Sequence, residues 1–233
     1  NQNNGLGVQG AVVSRDGDAY ILAKDADVRF GTSRYVALYN AGDAEHAFTV
    51  KAADLELGGT VAAFDLVDRA DIGTFTDTVT VKVPAHGARF FLMDAETRLE
   101  RAVYEAETAY LSEYQELRDA RKHGTAFPFQ FEGASGGVAV GWLGNRETND
   151  LVWKDVRIVK GGRRTLEFLC AAPEDRTFYV QVDGAAKPRV TCKATGGKFV
   201  SIPVEVDLAE GLHTVRIYNP TGWTPDIDLM RVK

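Results

Sequence analysis

Apolar positions along this chain recur mainly at a period of two, the signature of half-buried strands, and only rarely at the 3.6-residue period of helices. Residues 19–24, 35–39, 47–51, 61–65, 78–83 and 89–92 are short β-type runs. They are punctuated by turn chemistry at Asn40-Ala41-Gly42-Asp43, Gly58-Gly59 and Pro84-Ala85-His86-Gly87. Thr78-Val79-Thr80-Val81-Lys82-Val83 alternates polar and apolar strictly, which predicts a strand with one wet face. Short strands at this spacing predict an antiparallel sandwich. Residues 94–101 are polar, charged and free of glycine, a natural joint. Beyond the joint, Tyr110, Tyr114 and Leu117 recur at helical spacing amid Glu113, Glu116 and Arg118, which predicts a short amphipathic helix within residues 108–121. From residue 125 onward strand signals resume in about eight runs, from 136–142 to 227–232, joined by Gly161-Gly162, Asp183-Gly184, Gly196-Gly197 and Glu210-Gly211. That count predicts a second sandwich, of jelly-roll type. The expected fold is therefore all-β: two consecutive antiparallel β-sandwiches, over residues 1–98 and 101–233, with at most a short helix near the joint.

Composition narrows the function. The chain has 233 residues, 45% hydrophobic and 26% charged, enough for two ordinary cores. Its net charge of −6 comes without any Lys/Arg cluster that could track phosphates, so nucleic acid is not an expected partner. There is no apolar run long enough to span a bilayer. Asn1-Gln2-Asn3-Asn4-Gly5 reads as a loop from the middle of a protein, so the chain is expected to be a piece of a longer polypeptide. Cys170 and Cys192 are too few for a disulfide framework, and the sequence leaves open whether they pair.

Two acidic clusters bracket the second half. Tyr104-Glu105-Ala106-Glu107 opens it, and Trp223-Thr224-Pro225-Asp226-Ile227-Asp228 comes just before its end. In each, carboxylates alternate with an apolar residue, so on a strand they share one face. Strand carboxylates are ordinarily just solvated. Oxygen ligands gathered from distant parts of the chain also suit a hard cation, and Ca²⁺ fits best. Glu105, Glu107 and Asp228 are the candidate metal ligands, Asp226 is a weaker one, and backbone carbonyls of residues 122–126 would complete the shell. Trp223 lies in a loop beside a proline, where an indole can serve as a stacking platform for a sugar ring or cap the sandwich edge. Asn219 is placed to offer an amide to sugar hydroxyls or simply to build a turn. Trp142, Asn145, Asn149 and Asp150 cluster around Gly144, with the same two readings. Trp153 and Tyr179 read as packing residues. The four histidines are isolated and read as surface residues. Gly5-Leu6-Gly7-Val8-Gln9-Gly10 matches G-x-G-x-x-G without the flanking strand and helix that a phosphate cradle requires. No catalytic residue is assigned, because no nucleophile elbow or other catalytic motif occurs.

Several stretches resemble known families. Leu6-Gly7-Val8-Gln9-Gly10, Val36-Ala37-Leu38-Tyr39-Asn40 with Gly42-Asp43, Phe64-Asp65-Leu66-Val67 through Asp71-Ile72-Gly73, and Val83-Pro84-Ala85-His86-Gly87 resemble the C-terminal β-sandwich of family 27 (α-galactosidase-like) glycoside hydrolases. An extra residue and a missing proline at the start depart from that pattern. Glu105 and Glu107, Gly136-Gly137-Val138, Gly161-Gly162-Arg163-Arg164-Thr165-Leu166 and Ile227-Asp228-Leu229 resemble the jelly-roll carbohydrate-binding modules of families 6 and 35, although Arg164 stands where an aromatic is usual. The second resemblance implies that Glu105, Glu107 and Asp228 hold a structural Ca²⁺, while carbohydrate binds elsewhere, at loops where Trp223, Asn219, Trp142, Asn145 and Asn149 lie. Together the resemblances imply a non-catalytic accessory region that binds a galactose-containing or related glycan. They also imply an upstream catalytic barrel in the same polypeptide and secretion to a periplasm or cell surface. The rival expectation is a module that only braces the barrel.

Overall fold

The computed structural model describes residues 10–26, 30–114 and 122–233, with side chains omitted at 186–188. The chain divides into two compact units, Asn1–Leu99 and Glu100–Lys233. Both are built of antiparallel strands, as the period-two pattern predicts.

The first unit contains β1 (Ala11–Asp16), β2 (Ala19–Asp25), β3 (Ser33–Asn40), β4 (His46–Lys51), β5 (Leu57–Asp65), β6 (Ala70–Phe75), β7 (Thr78–Val83) and β8 (Ala88–Arg98). Six of them form a sheet in the order β1-β2-β3-β8-β5-β6, and β4 pairs with β7. Val36, Leu38, Val61, Phe91 and Met93 from the large sheet bury with Phe48, Val50 and Val83 from the hairpin. Each lies at alternate positions of its strand, which is why one face of each sheet is apolar. Buried Arg34 and Arg98 are compensated. Arg98 donates to Asp25 (2.7 Å), Glu56 (2.6 Å) and the Gly31 carbonyl (2.9 Å), and Arg34 donates to the Leu55 carbonyl (2.8 Å). Strand β6 falls in a stretch with no predicted strand, because nearly all of its residues are exposed and it carries no alternation.

The second unit contains β9 (Val103–Glu105), β10 (Tyr110–Leu111), β11 (Phe127–Gln130), β12 (Val138–Gly141), β13 (Gly144–Ile158), β14 (Gly162–Ala171), β15 (Arg176–Val182), β16 (Ala185–Cys192), β17 (Val200–Leu208), β18 (Gly211–Trp223) and β19 (Asp226–Val232). One sheet runs β10-β13-β18-β15-β16. The other runs β11-β12-β19-β14-β17, with β9 paired to β19. Phe168, Cys170, Ile227 and Met230 from one sheet meet Trp153, Phe178, Val180 and Ile217 from the other in one core. Cys170 and Cys192 are both buried free thiols, and burial pushes the Cys170 thiol up, away from ionisation. Trp153 is a core residue; Tyr179 stacks on Tyr218 with ring centroids 5.5 Å apart.

The predicted helix does not occupy the start of its range, although Lys122 and His123, directly after it, are helical. Ala106–Thr108 is a single 3₁₀ turn and Tyr110–Leu111 is a strand paired with β13. Pairing of Tyr110 with Val152 and of Leu111 with Leu151 supplies backbone partners that a marginal helix in this position could not match. Leu117, Glu116 and Arg118 lie outside the described residues, as do Gly5 to Gln9 of the glycine-rich match.

His213 is not a surface residue. It is buried, with Nδ1 2.6 Å from Asp183 Oδ2 and Nε2 2.8 Å from the Ala209 carbonyl. Burial alone would lower its pKa, but these two acceptors outweigh it and hold the imidazolium above the ordinary value of 6.5. A group whose folded pKa is raised contributes stability that is present below the unfolded pKa and lost as pH rises through the folded one. Thermal melts of the full chain are therefore expected to lose a His213-dependent increment above about pH 6.5. His213→Gln should abolish that pH-dependent step, and an unchanged profile would reject the assignment.

Candidate functional site

The second unit carries two chemically distinct sites, one acidic around β9 and β19 and one aromatic around Trp142 and Trp223. The first is acidic. Glu105 ends β9, Glu107 lies in the following 3₁₀ turn, and Asp228 sits in β19 opposite β9. A register shift against β14 falls at this point of β19. A second 3₁₀ turn, Ser135–Gly137, covers the carboxylates. The Ser135 amide donates to Asp228 Oδ1 and its hydroxyl to Glu105 Oε1, both at 2.9 Å.

Two of the carboxylate oxygens, Glu105 Oε2 and Glu107 Oε2, are buried with no hydrogen-bond partner. Burial, then the charges of Glu105 and Asp228, pushes Glu107 up to about 7. Burial raises Glu105 and Asp228 as well, against the hydrogen bonds that Ser135 donates to each and a smaller pull from Arg231. Orphaned, acceptor-only oxygens that repel one another are what a hard cation would neutralise. Among the described residues no group of three or more His, Cys, Asp or Glu is placed to hold a metal as it stands. The chemistry of the donors fits a cation, whereas closure of a shell would need further oxygens.

Asp226 is corrected as a ligand of this group. Its register partner across the sheet is Ala171, and the charge acting on it is Arg176, not Glu105 or Glu107. Burial raises it to about 6. Its Oδ1 lies 2.6 Å from the position a Cβ on Gly141 would occupy, so only glycine leaves room for it there.

The second site is aromatic. Trp142 is 45% exposed. It stacks on Phe127 with centroids 6.1 Å apart and meets Trp223 edge-on at 5.7 Å. Trp223 is half-buried, its ring tip packed 3.2 Å from the Cβ position of Gly124. Trp142 holds φ of 61° and Asn145 φ of 63°, a left-handed backbone that bulky residues adopt only when neighbours impose it.

Asn149 is the neighbour that does so. It is fully buried. Its Oδ1 accepts from the Ala126 amide (2.8 Å), and its Nδ2 donates to the carbonyls of Trp142 (2.6 Å), Gly144 (2.9 Å) and Gly124 (3.3 Å). Asn219 is also buried; it donates to the Thr177 carbonyl at 2.8 Å and accepts from the Thr221 amide at 3.1 Å. Both are corrected as ligand-binding residues, since their amides are consumed in fastening loops and present nothing to solvent. At Gly144, φ is 93° and a Cβ would fall 2.3 Å from the Gly222 carbonyl, so the start of β13 after Trp142 meets the end of β18 backbone to backbone, and Trp223 is the last residue of that strand and not a loop residue. Asn145 is exposed beside this contact. No sequence pattern marks Ser135 or Phe127 as site residues. Only the adjoining Gly136-Gly137 pair hinted at a tight turn that could aim Ser135 at the acids.

Residues 16–93 match the family described as the alpha galactosidase C-terminal beta sandwich domain. Among solved structures, a family 35 carbohydrate binding module from Clostridium thermocellum is similar at 28% identity and a TM-score of 0.49, over 56% of this chain and 96% of its own. Isomalto-dextranase from Arthrobacter globiformis T6, complexed with panose, is similar at 18% identity and a TM-score of 0.53. That match covers 94% of this chain and 37% of the isomalto-dextranase. Alpha-galactosidase I from Mortierella vinacea is similar at 23% identity and a TM-score of 0.34, over 38% of this chain and 24% of its own. No curated protein matches the chain. The first unit thus matches the alpha galactosidase C-terminal beta sandwich family over residues 16–93, and the fold of the chain recurs within an isomalto-dextranase.

Proposed function

We propose that the chain is a non-catalytic accessory region of a secreted glycoside hydrolase, and that its second unit binds carbohydrate at the Trp142–Trp223 pair. The observation that carries this reading is the exposed Trp142 indole, held in a left-handed backbone by Asn149 and backed by Phe127 and Trp223. A ring fixed in this way offers an apolar face at low entropic cost, and the C–H faces of sugars stack on such surfaces. The family match of the first unit supports a parent enzyme of α-galactosidase type, with its catalytic barrel upstream and a galactose-containing or related glycan as the ligand. The accessory unit would raise the effective concentration of glycan near that barrel.

In this reading Glu105, Glu107 and Asp228 hold a structural Ca²⁺. The ion would neutralise the buried carboxylates and fasten β9 to β19. It would take no part in chemistry.

Calorimetric titration of the full chain with galacto-oligosaccharides is the test. Trp142→Ala is expected to weaken binding about tenfold or more, with little change in melting temperature because the ring is half in solvent. Loss of stability without loss of binding would favour the bracing role instead. Turnover of nitrophenyl α-galactoside above background by the purified chain would overturn the non-catalytic assignment.

A further inference from the structure

We infer that the aromatic site selects neutral sugars over uronates, through Asp226. This rests on the sugar-binding reading of Trp142 and Trp223. The register that pairs Val140 with Ile227 places Asp226 across from Gly141, and β11 places Phe127 on the other side of Gly141. Asp226, Gly141 and Phe127 therefore form one transverse row, and the ring of Phe127 carries Trp142. Because Gly141 has no side chain, Asp226 Oδ1 and Phe129 Cε1 both lean into its place, 2.6 and 2.7 Å from where a Cβ would be. The carboxylate thereby lies over Gly141, the residue before Trp142, with the edge of Phe129 leaning into the same place.

Among the described residues Asp226 accepts no hydrogen bond and makes no ion pair, in contrast to Asp228, which is engaged by Ser135. The cation acting on it, Arg176, divides its charge: it donates to the Thr224 carbonyl at 3.0 Å and lies 3.7 Å from Glu174, while its buried Nε has no hydrogen-bond partner. Asp226, Arg176 and Glu174 together leave one uncompensated negative charge at the foot of the platform. A carboxylate with free lone pairs accepts hydrogen bonds from sugar hydroxyls. The same charge repels a ligand carboxylate across a few ångströms of partly desolvated space. Shape and stacking alone would not distinguish galactose from galacturonate, so the discrimination falls to this residue.

Titration of the full chain with methyl α-galactoside and with methyl α-galacturonoside, at mildly alkaline pH and moderate salt, tests the inference. The neutral sugar is expected to bind about tenfold more tightly. Asp226→Asn, which keeps the shape and removes the charge, should erase most of that preference by strengthening galacturonoside binding, and its melting temperature reports that the fold is intact. Galacturonoside binding as tight as galactoside binding in the unsubstituted protein would overturn the charge selection alone. A preference that persists unchanged in Asp226→Asn would assign it to another residue and overturn the role of Asp226. Absence of binding to either sugar would remove the sugar-binding reading and this inference with it.

Discussion

Replacement of Asn149 by alanine is expected to destabilise the second unit by about 3–5 kcal/mol. One buried side-chain amide serves the Ala126 amide and the carbonyls of Trp142, Gly144 and Gly124. Alanine leaves these groups without their partner in a space that water cannot easily enter, and each buried orphan costs about 1–3 kcal/mol. The melting transition should fall by roughly 10–20 °C. Asn149→Asp should be nearly as damaging, because a carboxylate can accept from Ala126 but cannot donate to three carbonyls. Sugar binding should fall in both variants, since the left-handed conformation of Trp142 is no longer imposed. A shift of only a degree or two in differential scanning calorimetry would show that the loop has other means of support.

The company of Trp142, Asn145 and Gly144 marks Asn149 in the sequence, and the exposed indole does lie beside it. What the sequence could not convey is that the amide points inward. Asparagine is both a common loop fastener and a sugar-binding group, and only burial separates the two. Asn40 makes the same point in the first unit. Its sequence context is that of a plain turn, yet it donates to the carbonyls of Ala44, Val83 and Pro84 from a buried position.

Strands with one buried face, such as β2 and β7, were legible because alternation is imposed directly by burial. The exposed β6 and the two-residue β10 were not, because their pairing is dictated by neighbours distant in sequence. Periodicity misled at Tyr110 and Tyr114. Their helical spacing reflects two exposed aromatics, one in a strand beneath Lys154 and one in the turn after it. Asp226 and Asp228 are two residues apart on one strand, so alternation alone gave them one role. The bulge at this point of β19, together with the gap at Gly141, divides their environments between two sites.

Addition of Ca²⁺ is expected to raise the melting temperature of the full chain, with Glu107 as the residue that reveals why. Its ordinary pKa is 4.5, and without a cation burial and the neighbouring carboxylates push it up to about 7. The folded state then holds a proton more tightly than the unfolded chain, so metal-free stability is present at acid pH and declines as pH rises from about 4.5 through 7. The shift corresponds to at most about 3 kcal/mol, reduced by residual solvent access. A bound cation reverses the sign, because it binds only the ionised carboxylates. The Ca²⁺ increment should therefore be small at acid pH and grow toward neutrality, reaching about 3–4 kcal/mol when Ca²⁺ is in hundredfold to thousandfold excess over its dissociation constant. Glu107→Gln separates the two effects. In chelator it should be more stable than the unsubstituted protein above pH 7 and show a flatter pH profile, while in Ca²⁺ it should lose much of the metal increment. Identical melts in Ca²⁺ and chelator, with Glu107→Gln following the same pH profile as the unsubstituted protein, would reduce the acidic group to strand carboxylates that share a face without a common ligand.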